Sequence, residues 1–548
     1  MIALLWLFPL AVEALPVRGN DPWTVVLCKL SDNNHEPMSH EWVHSISSFF
    51  RTLSNGVYTI DRSNVTEWIQ IPWSSTDIWK MAEEETGQKS AFAGVVFQYF
   101  DKVKQLCAGW AGSRGIHVNE RRIVLLNSEL LDGRHHYIFV KYLIIFYAAA
   151  VFGRQSGVLI SPRLAFSAVL AHEMVHSMNI GHSYSERRRK VFPHGFPGEY
   201  GDRFDLMSTA NAWMHATRFG WNGPGLAGPH LDYLGWLPQS RMAYFGGNKS
   251  EQIVRLSSLS VPHAQTRGLL LLQIPFDRDE PGNVFTVEMR SPHGLDPAIL
   301  IHKVVRTGDG FYSYLVGHGR EDELYEGGEW VRFIDKSTII RVRVNHFSSP
   351  MEATLLVQST FDPTLCSRDE LSVPVVMTSE EKMDGRMGGG KIRKRSIAAP
   401  PGLELKMITT RRPPVFSRLH MNVVRVCSSS KRNFSPTDVD RWLAMQQFFT
   451  RRSFGQNECS EGRVWRGLDD YDYVCVLPHR VDESRHAVAP RLRFGGCPRG
   501  YTRRRAYEAD YACVAPSEYA LVVSENRAVH RFYKRAAFFN GDDELIRR

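Results

Sequence analysis

The chain has 548 residues, 43% of them hydrophobic and 23% charged, which is ordinary for a globular protein. A single hydrophobic core stops growing at about 250–300 residues, so this length predicts two to four domains and excludes a single-core protein. The formal net charge of +9 indicates a basic surface. Binding to acidic glycans or matrix is therefore one hypothesis, and nucleic acid is not an expected partner outside the cell.

Residues 1–14 are predicted to be a secretory signal peptide. An apolar run from Ile2 to Val12 precedes small residues that resemble a cleavage site, although no basic side chain stands before the run. The run is too short for a membrane anchor, which needs about 20 apolar residues. A second apolar stretch, 137–153, is interrupted by Lys141 and is predicted to be a buried strand or helix. The sequence thus predicts an extracellular protein without a transmembrane anchor.

Residues 15–240 are predicted to form the first domain. Short apolar runs typical of strands alternate in this range with runs of helical spacing, which favours an α/β or α+β fold. The predicted strands include 22–32, 121–129 and 157–162, and the predicted helices are 40–54, 76–103 and 162–179.

The last of these predicted helices contains the string HEMVH, in which His172 and His176 are four positions apart. On a helix this spacing places both imidazoles on one face, one turn apart, so that they can bind one metal ion. Zinc prefers such nitrogen ligands, and Glu173 beside them can accept a proton from an activated water. The string predicts two metal ligands and a general base. An unusually polar core helix is the alternative interpretation.

A third histidine strengthens the prediction of a metal site. For His182 to reach the same ion, the helix must end after His176 and the chain must turn sharply, which requires a positive φ. Asn179 stands at the turn, and asparagine is the residue other than glycine that most readily adopts this conformation. Gly181 adds flexibility. The sequence therefore predicts one bound Zn²⁺ ion. No residue pattern assigns a structural Ca²⁺ ion.

Together these residues resemble the gametolysin-like secreted metzincins. The metzincin pattern is H-E-x-x-H-x-x-G-x-x-H followed by a methionine-containing turn, and residues 172–182 match it except that Asn179 replaces the Gly. Met207 lies 25 positions after His182. The resemblance, which covers residues 22–360, implies that Met207 supports the zinc site from below without binding the ion. A methionine in such a string alone is more often a core residue.

The resemblance implies a zinc-dependent endopeptidase that hydrolyses peptide bonds of extracellular, cell-wall or matrix proteins. The implied catalytic domain is a twisted mixed sheet plus the active-site helix, with Glu173 as the general base. The strand at 157–161 is implied to be the sheet edge that binds an extended substrate by strand addition. The tyrosine that some metzincins carry two positions after the methionine is absent, because Thr209 stands there.

The remaining sequence predicts three further regions. Residues 241–362 contain short alternating runs separated by turn residues, which predicts an all-β, sandwich-like accessory domain. Residues 363–402 have linker composition, and the string RKRS within them is either a processing site or an uncut basic stretch. Residues 403–548 are predicted to be a small disulfide-rich C-terminal region with two repeats, 459–478 and 497–516, each of which has cysteines 16 positions apart.

Two covalent modifications of secreted proteins are predicted. The eight cysteines are expected in disulfides, with a bridge from Cys28 to Cys107 and one within each tail repeat, although the spacing does not determine the pairing. A loop of the size in each repeat constrains the unfolded state by about 3 kcal/mol. The other cysteine candidates are Cys366, Cys427, Cys459, Cys475, Cys497 and Cys513. The candidates for N-glycosylation are Asn64, Asn248 and Asn433.

Two other interpretations of function remain open. The chain is alternatively a catalytically weak or inactive adhesion or glycan-binding protein on a metzincin scaffold, whose basic tail repeats bind a glycan or a host protein. Zinc content and cleavage of a generic protein substrate distinguish this hypothesis from the endopeptidase. A cytosolic enzyme with an accidental apolar N-terminus is the third interpretation, which free thiols at most cysteines would favour.

Overall fold

A computed structural model describes most of residues 18–360 and parts of the C-terminal region. The described residues are 18–36, 42–88, 93–119, 121–128, 148–150, 157–162, 165, 167–192, 195–208, 212–217, 220–245, 251–277, 282–291, 293–307, 310–317, 322–334, 338–360, 369–376, 421–428, 457, 459–460, 463–489, 496–507, 510–528, 531–532 and 537–538. The predicted signal peptide at 1–14 and the RKRS string at 393–396 lie outside these ranges.

The described residues form a mixed α+β fold with several sheets. The seven α-helices are α1 Trp42–Leu53, α2 Ser75–Thr86, α3 Ala93–Ser113, α4 Ser167–His176, α5 Gly228–Tyr233, α6 Pro478–His486 and α7 Pro516–Ala528. Among the residues that the structure describes, no helix has both the length and the apolar character needed to cross a membrane.

The single helix predicted over 76–103 is two helices in the structure. Helix α2 begins with a capping box, in which the side chains of Ser74 and Asp77 each accept the other's backbone N–H. It ends at Gly87, which has a φ of +63° in the left-handed region. Helical spacing continues on both sides of this glycine, so the apolar pattern predicted one element where the glycine separates two.

A six-stranded sheet lies within residues 15–240, the first predicted domain. Its order is β4-β2-β6-β8-β7, and β5 also pairs with β2. All its pairings are parallel except that of β7 with β8. The first eight strands are β1 Gly19–Asn20, β2 Thr24–Lys29, β3 Tyr58–Thr59, β4 Asn64–Val65, β5 Ile69–Gln70, β6 Arg122–Leu126, β7 Ala148–Ala150 and β8 Val158–Ile160.

Both faces of this sheet are covered, which explains why β2 and β6 are almost continuously apolar. On one face, side chains such as Leu27 and Leu125 share a core with α1 and α4. On the other face, Val26 and Val124 share a core with α2 and α3. The site helix α4 therefore lies on a rigid sheet, and the Cys28–Cys107 disulfide links β2 to α3 behind it.

The prediction that the strand at 157–161 forms the edge of the sheet is wrong, because the neighbouring strand β7 lies outside it. Strand β8, within the range 157–161, pairs with β6 on one side and with β7 on the other, so it is an inner strand. Strand β7 continues the described sheet beyond β8 and runs antiparallel to it. It is also the only described part of the apolar stretch 137–153. The sequence pattern of β8 could not show this, because inner and edge strands of a covered sheet are equally apolar.

Two further sheets face each other across one hydrophobic core. One has the order β12-β14-β15-β16-β17-β28, with β9 also pairing β17, and the other has the order β13-β20-β19-β18. Side chains of both sheets contribute to the shared core, in which alternate residues of β20 are buried. Strands β9 to β20 are Tyr184–Ser185, His215–Thr217, Gly220–Asn222, Met242–Tyr244, Glu251–Ser257, Leu271–Pro275, Val284–Arg290, Ala298–Thr307, Gly310–Leu315, Glu329–Phe333, Ile339–Ser349 and Glu352–Ser359.

The C-terminal region contains short strands and the two repeats. Strand β21 lies within the predicted linker and pairs antiparallel with β22 along eight residues. The remaining strands, β21 to β28, are Asp369–Val376, Met421–Ser428, Val464–Trp465, Cys475–Val476, Val488–Ala489, Thr502–Arg503, Cys513–Val514 and Ala537–Phe538.

The first repeat packs against the segment around Leu237. Tyr473 is fully buried, and its hydroxyl donates a hydrogen bond of 2.8 Å to the backbone carbonyl of Leu237. At the other end of the chain, the guanidinium of Arg18 forms a salt bridge with Asp469 and stacks over the ring of Tyr507, 4.1 Å from its centre. The amino-terminal end of the described chain therefore contacts both repeats.

Three predicted disulfides are confirmed, Cys28–Cys107, Cys459–Cys475 and Cys497–Cys513. Cys366 lies outside the described residues, and for Cys427 only the backbone of β22 is described. Of the glycosylation candidates, Asn64 is exposed, whereas Asn248 and Asn433 lie outside the described residues. Glycosylation of all three remains a prediction.

Candidate metal centre

Helix α4 holds the first two histidines of the site. The rings of His172 and His176 lie one turn apart, with their centres 4.5 Å from each other, and both side chains are buried. Apolar neighbours on the same helix, including Leu170 and Met174, pack into the core of the sheet. This packing fixes the helix, so the positions of the two imidazoles are determined by the sheet beneath them.

The turn after α4 brings the third histidine to the first two. Asn179 adopts a φ of +62°, the left-handed conformation that ends a helix. The chain then returns through the buried residue Gly181, and the ring of His182 lies 4.9 Å from that of His176 and 5.4 Å from that of His172. One ligand atom from each of the three residues lies within 4.8 Å of the others.

Hydrogen bonds orient the two helical imidazoles. The Nδ1 atom of His172 lies 2.9 Å from the carbonyl oxygen of Leu206, and that of His176 lies 2.7 Å from the carbonyl oxygen of Ile180. Because a carbonyl oxygen can only accept, each Nδ1 carries the proton and donates it. The lone pair of each ring is therefore on Nε2, the tautomer in which histidine binds a metal ion through that atom.

The third imidazole is held by a loop that sequence reasoning missed. Glu199 accepts a hydrogen bond of 2.6 Å from Nδ1 of His182, and its other oxygen accepts one of 2.9 Å from the backbone N–H of Phe196. The hydroxyl of Tyr200 lies 3.0 Å from Nε2 of His182, on the side where the three histidines converge. Tyr200 has a φ of +57°, which is uncommon for a bulky side chain.

Burial sets the charge state of the two helical imidazoles. Removal from solvent, together with the nearby His182, lowers the pKa of His172 to about 3. The same burial, with repulsion from the other two rings, lowers the pKa of His176 well below its ordinary value. Both rings are therefore neutral at physiological pH, which is the state that binds a metal.

Met207 lies in a buried turn directly against α4. It is the middle residue of a short 3-10 turn, Leu206–Ser208, and it is completely buried in the same core as the helix. Its backbone N–H donates a hydrogen bond of 3.1 Å to Asp205. This turn also supplies the carbonyl that orients His172, so its position determines that of one ligand.

The carboxylate of Asp205 holds the Leu206–Ser208 turn in place. It is fully buried, accepts a hydrogen bond from the hydroxyl of Ser183, and lies 2.7 Å from Nδ1 of His230. Burial alone would raise the pKa of this carboxyl, but His230 and the hydrogen bonds from Ser183 and Met207 hold the pKa below its ordinary value. The carboxylate is thus charged and fixed.

Glu173 lies next to the first ligand on α4. Its side chain is 8% exposed, so its carboxylate is largely removed from bulk water. The negative charge of Glu173 also acts to raise the pKa of the buried Lys104 of α3. The ammonium of Lys104 forms an ion pair of 2.7 Å with Asp101. Burial nevertheless lowers the pKa of Lys104 overall. The carboxyl group of the residue next to His172 in the sequence is thus held in a water-poor environment.

The donor set fits a zinc ion. Each of the three imidazoles directs Nδ1 at an oxygen acceptor, so Nε2 is the atom through which each ring can bind an ion. A bound ion would take the place of the Tyr200 hydroxyl at Nε2 of His182. Catalytic zinc sites use three protein ligands with one open position. Imidazole also suits copper, iron and nickel, so this donor set selects a class of metal ions that includes zinc.

Comparisons with known proteins identify no relative of this chain. No protein-family model, curated protein or solved structure matches it. The resemblance to metzincins therefore rests on the motif and on the geometry of the site.

The left-handed turn at Asn179 leads to a prediction about stability. Asn179→Val places a β-branched residue at a φ of +62°, and we expect it to lower the free energy of unfolding by about 1–2 kcal/mol. Asn179→Gly, which tolerates this φ, is the matched control and should retain or slightly raise stability. Denaturant unfolding of both variants measures the difference. Equal stability of the two would contradict the assigned role of the turn.

A second buried polar cluster links the loop of the site to the β-sheets. Nε2 of His302 lies 2.8 Å from Asp202, and Nδ1 lies 3.6 Å from Glu288. Burial opposes charge on His302, but Glu288 and Asp202, with a smaller contribution from Asp205, raise the pKa of His302 above its ordinary value. The imidazolium of His302 therefore joins two carboxylates from different parts of the chain.

This cluster predicts a fall in stability at alkaline pH. A raised pKa means that the stabilising proton on His302 is fully present below pH of about 6.5 and is lost as the pH rises through the folded-state pKa. The free energy of unfolding should fall in that range by at most about 1.4 kcal/mol per pH unit from this group. His302→Gln should flatten the slope measured between neutral and alkaline pH. An unchanged slope in the variant would refute the assignment.

Proposed function

We propose that the protein is a secreted, zinc-dependent endopeptidase that hydrolyses peptide bonds of extracellular, cell-wall or matrix proteins. The observation that carries this proposal is the convergence of three imidazoles, with one ligand atom of each within 4.8 Å of the others. The rings of His172, His176 and His182 are each oriented by an acceptor at Nδ1, as metal-binding histidines usually are.

The residues around the three histidines have distinct chemical roles in this proposal. A zinc ion bound there would supply Lewis-acid activation of a water molecule and of the scissile carbonyl. Glu173 accepts the proton of the attacking water and then delivers it to the leaving amine. Its burial keeps competing bulk water away and strengthens its electrostatic interactions. Glu199 keeps His182 in the ligand orientation.

Tyr200 is the side chain that we propose to stabilise the transition state. Its hydroxyl lies at the converging face of the histidines, so it can donate a hydrogen bond to the substrate carbonyl oxygen as that oxygen gains negative charge. Such a donor is most effective when it is already held in place. The backbone of Tyr200 is held by a hydrogen bond of 2.9 Å from its N–H to the carbonyl of Ser183.

Substrate binding is proposed to use the antiparallel strand β7. It is the end strand of the described central sheet, and the inner strand β8 next to it continues through a short connection into the site helix α4. An extended peptide that adds to the edge of β7 would run along the same side of the sheet as the three histidines. Main-chain hydrogen bonds would then position the scissile bond near Glu173.

The disulfides support an extracellular location. Three bridges are present among the described residues, and such bonds persist mainly in oxidising compartments. Together with the apolar N-terminal run, they favour secretion over the cytosolic interpretation.

Metal analysis and a cleavage assay test the proposal together. The purified protein should contain about one zinc ion per chain, and a chelator or a hydroxamate should abolish cleavage of an unfolded protein substrate, which added zinc restores after chelation. His182→Ala should lose both zinc and activity. A zinc-free protein that binds a glycan column and cleaves nothing would instead favour the adhesion hypothesis.

A further inference from the structure

The two tail repeats share one scaffold. Each closes a loop with a disulfide between cysteines 16 positions apart. Inside each loop a buried arginine donates two hydrogen bonds to a buried aspartate. In the first repeat Arg466 binds Asp472 at 2.9 and 3.1 Å, and in the second Arg504 binds Asp510 at 2.8 and 3.1 Å. Corresponding positions of the two repeats can therefore be compared directly.

The first repeat uses one face to bind residues 237–240 of the same chain. The buried ring of Trp465 lies edge-on to that of Tyr473, with their centres 4.9 Å apart. The hydroxyl of Tyr473 donates to the carbonyl of Leu237, and the backbone N–H of Gln239 donates 2.9 Å to the carbonyl of Asp470. The bound segment runs from Leu237 to Ser240. It is held through backbone groups and through the side chains of Gln239 and Ser240.

The same face of the second repeat is exposed to solvent. Tyr511, which corresponds to Tyr473, is 44% exposed, whereas Tyr473 is fully buried. Arg503 replaces Trp465, is exposed, and lies over the ring of Tyr511 at 4.8 Å from its centre. The aromatic position that binds a carbonyl in the first repeat is thus retained in the second, and a cation has replaced the indole beside it.

We propose that this face of the second repeat binds a short acidic segment of a partner protein. The hydroxyl of Tyr511 would donate to a backbone carbonyl, as that of Tyr473 does. The guanidinium of Arg503 would pair with a carboxylate in the partner. The proposal stands on the comparison of the two repeats and does not depend on the proposed peptidase activity.

The surrounding charge favours an acidic partner. Arg499, Arg503 and Arg505 are all exposed in the second repeat, whereas the first has Asp469 and Asp470 near its docking face. Exposed cations attract an acidic segment and repel a basic one. A peptide is favoured over a glycan because the corresponding face of the first repeat binds a peptide segment, in part through hydrogen bonds to its backbone groups.

A binding experiment with the full-length protein tests this surface. The probe is a labelled synthetic octapeptide, Asp-Glu-Leu-Pro-Gln-Ser-Asp-Glu, and its counterpart has lysine at each acidic position. Glu173→Gln is used as the background so that the probe is not hydrolysed. Tyr511→Ala and Arg503→Glu are compared with Leu521→Ala, which changes another exposed residue of the same tail on α7.

We expect saturable binding of the acidic peptide, with an affinity at least tenfold lower for Tyr511→Ala and Arg503→Glu and unchanged for Leu521→Ala. The lysine counterpart should bind at least tenfold more weakly than the acidic peptide. The proposal is overturned if the acidic peptide does not bind, or if all three variants bind it equally. It is also overturned if dextran sulfate binds at these residues while the peptide does not, because the surface would then be a glycan site.

Discussion

Replacing Glu173 with glutamine is expected to lower the rate of peptide hydrolysis by about 10²–10⁴-fold while the zinc content stays at one ion per chain. Glutamine has nearly the same shape as glutamate but cannot take the proton from the attacking water. Because Glu173 is adjacent to His172 and is not one of the three clustered ligands, the metal should remain bound. The loss should appear in kcat, since the substitution does not alter β7, the strand that we propose to bind the substrate.

The measurement pairs steady-state kinetics with metal analysis on the same preparation. Glu67→Gln, at an exposed position in the same domain, is the matched control and should retain full activity. An active Glu173→Gln protein would end the assignment of the general base. An inactive variant that has also lost zinc would show that the residue serves the metal and not the proton.

Tyr200→Phe is expected to lower kcat by about 10²–10³-fold with little change in KM, the usual effect of removing one preorganised donor at a developing oxyanion. The substitution removes only the hydroxyl that lies 3.0 Å from Nε2 of His182. The ring itself packs against the imidazole, with centres 4.3 Å apart, and phenylalanine preserves that contact. Ground-state binding should therefore persist.

The cobalt-substituted protein provides a second readout for Tyr200. Its visible absorption reports the geometry at the metal, and it should remain that of a three-histidine site in Tyr200→Phe. Tyr312→Phe, on a β-strand of the accessory sheets, is the control and should leave kcat unchanged. If Tyr200→Phe keeps kcat within twofold of the unaltered protein, the hydroxyl has no role in the transition state.

The parts of the site that lie close together in sequence could be predicted from it. The positions of His172 and His176 follow from the period of a helix, and the left-handed turn at Asn179 follows from its side-chain type. Both are local properties. Tyr200 and Glu199 were missed because they reach His182 only after a loop returns to the site.

A weak signal for that loop is present in the sequence. Glu199 and Tyr200 stand between Gly198 and Gly201, and in the structure a Cβ atom on either glycine would lie within 2.7 Å of an atom of Ser185. Such close approach requires glycine. The pair of glycines therefore marks a tight loop, but nothing in the sequence states which part of the chain it approaches.

The large-scale arrangement was predictable only in part. Apolar and alternating runs indicated strands on both sides of residue 240, and the structure has strands there. The order of strands in a sheet depends on pairing between distant segments, so the inner position of β8 was not predictable from its composition. The hydrogen bond between Tyr473 and Leu237 joins residues 236 positions apart. No periodic pattern in the sequence predicts such a contact.

The salt bridge between Arg18 and Asp469 has a consequence for biosynthesis. Its partners are 451 positions apart in the chain. At a synthesis rate of about 5–20 residues per second, the ribosome needs roughly 20–90 seconds to make the second partner after the first. During that interval Arg18 lacks this partner, so the salt bridge can form only after nearly all of the chain has been synthesised.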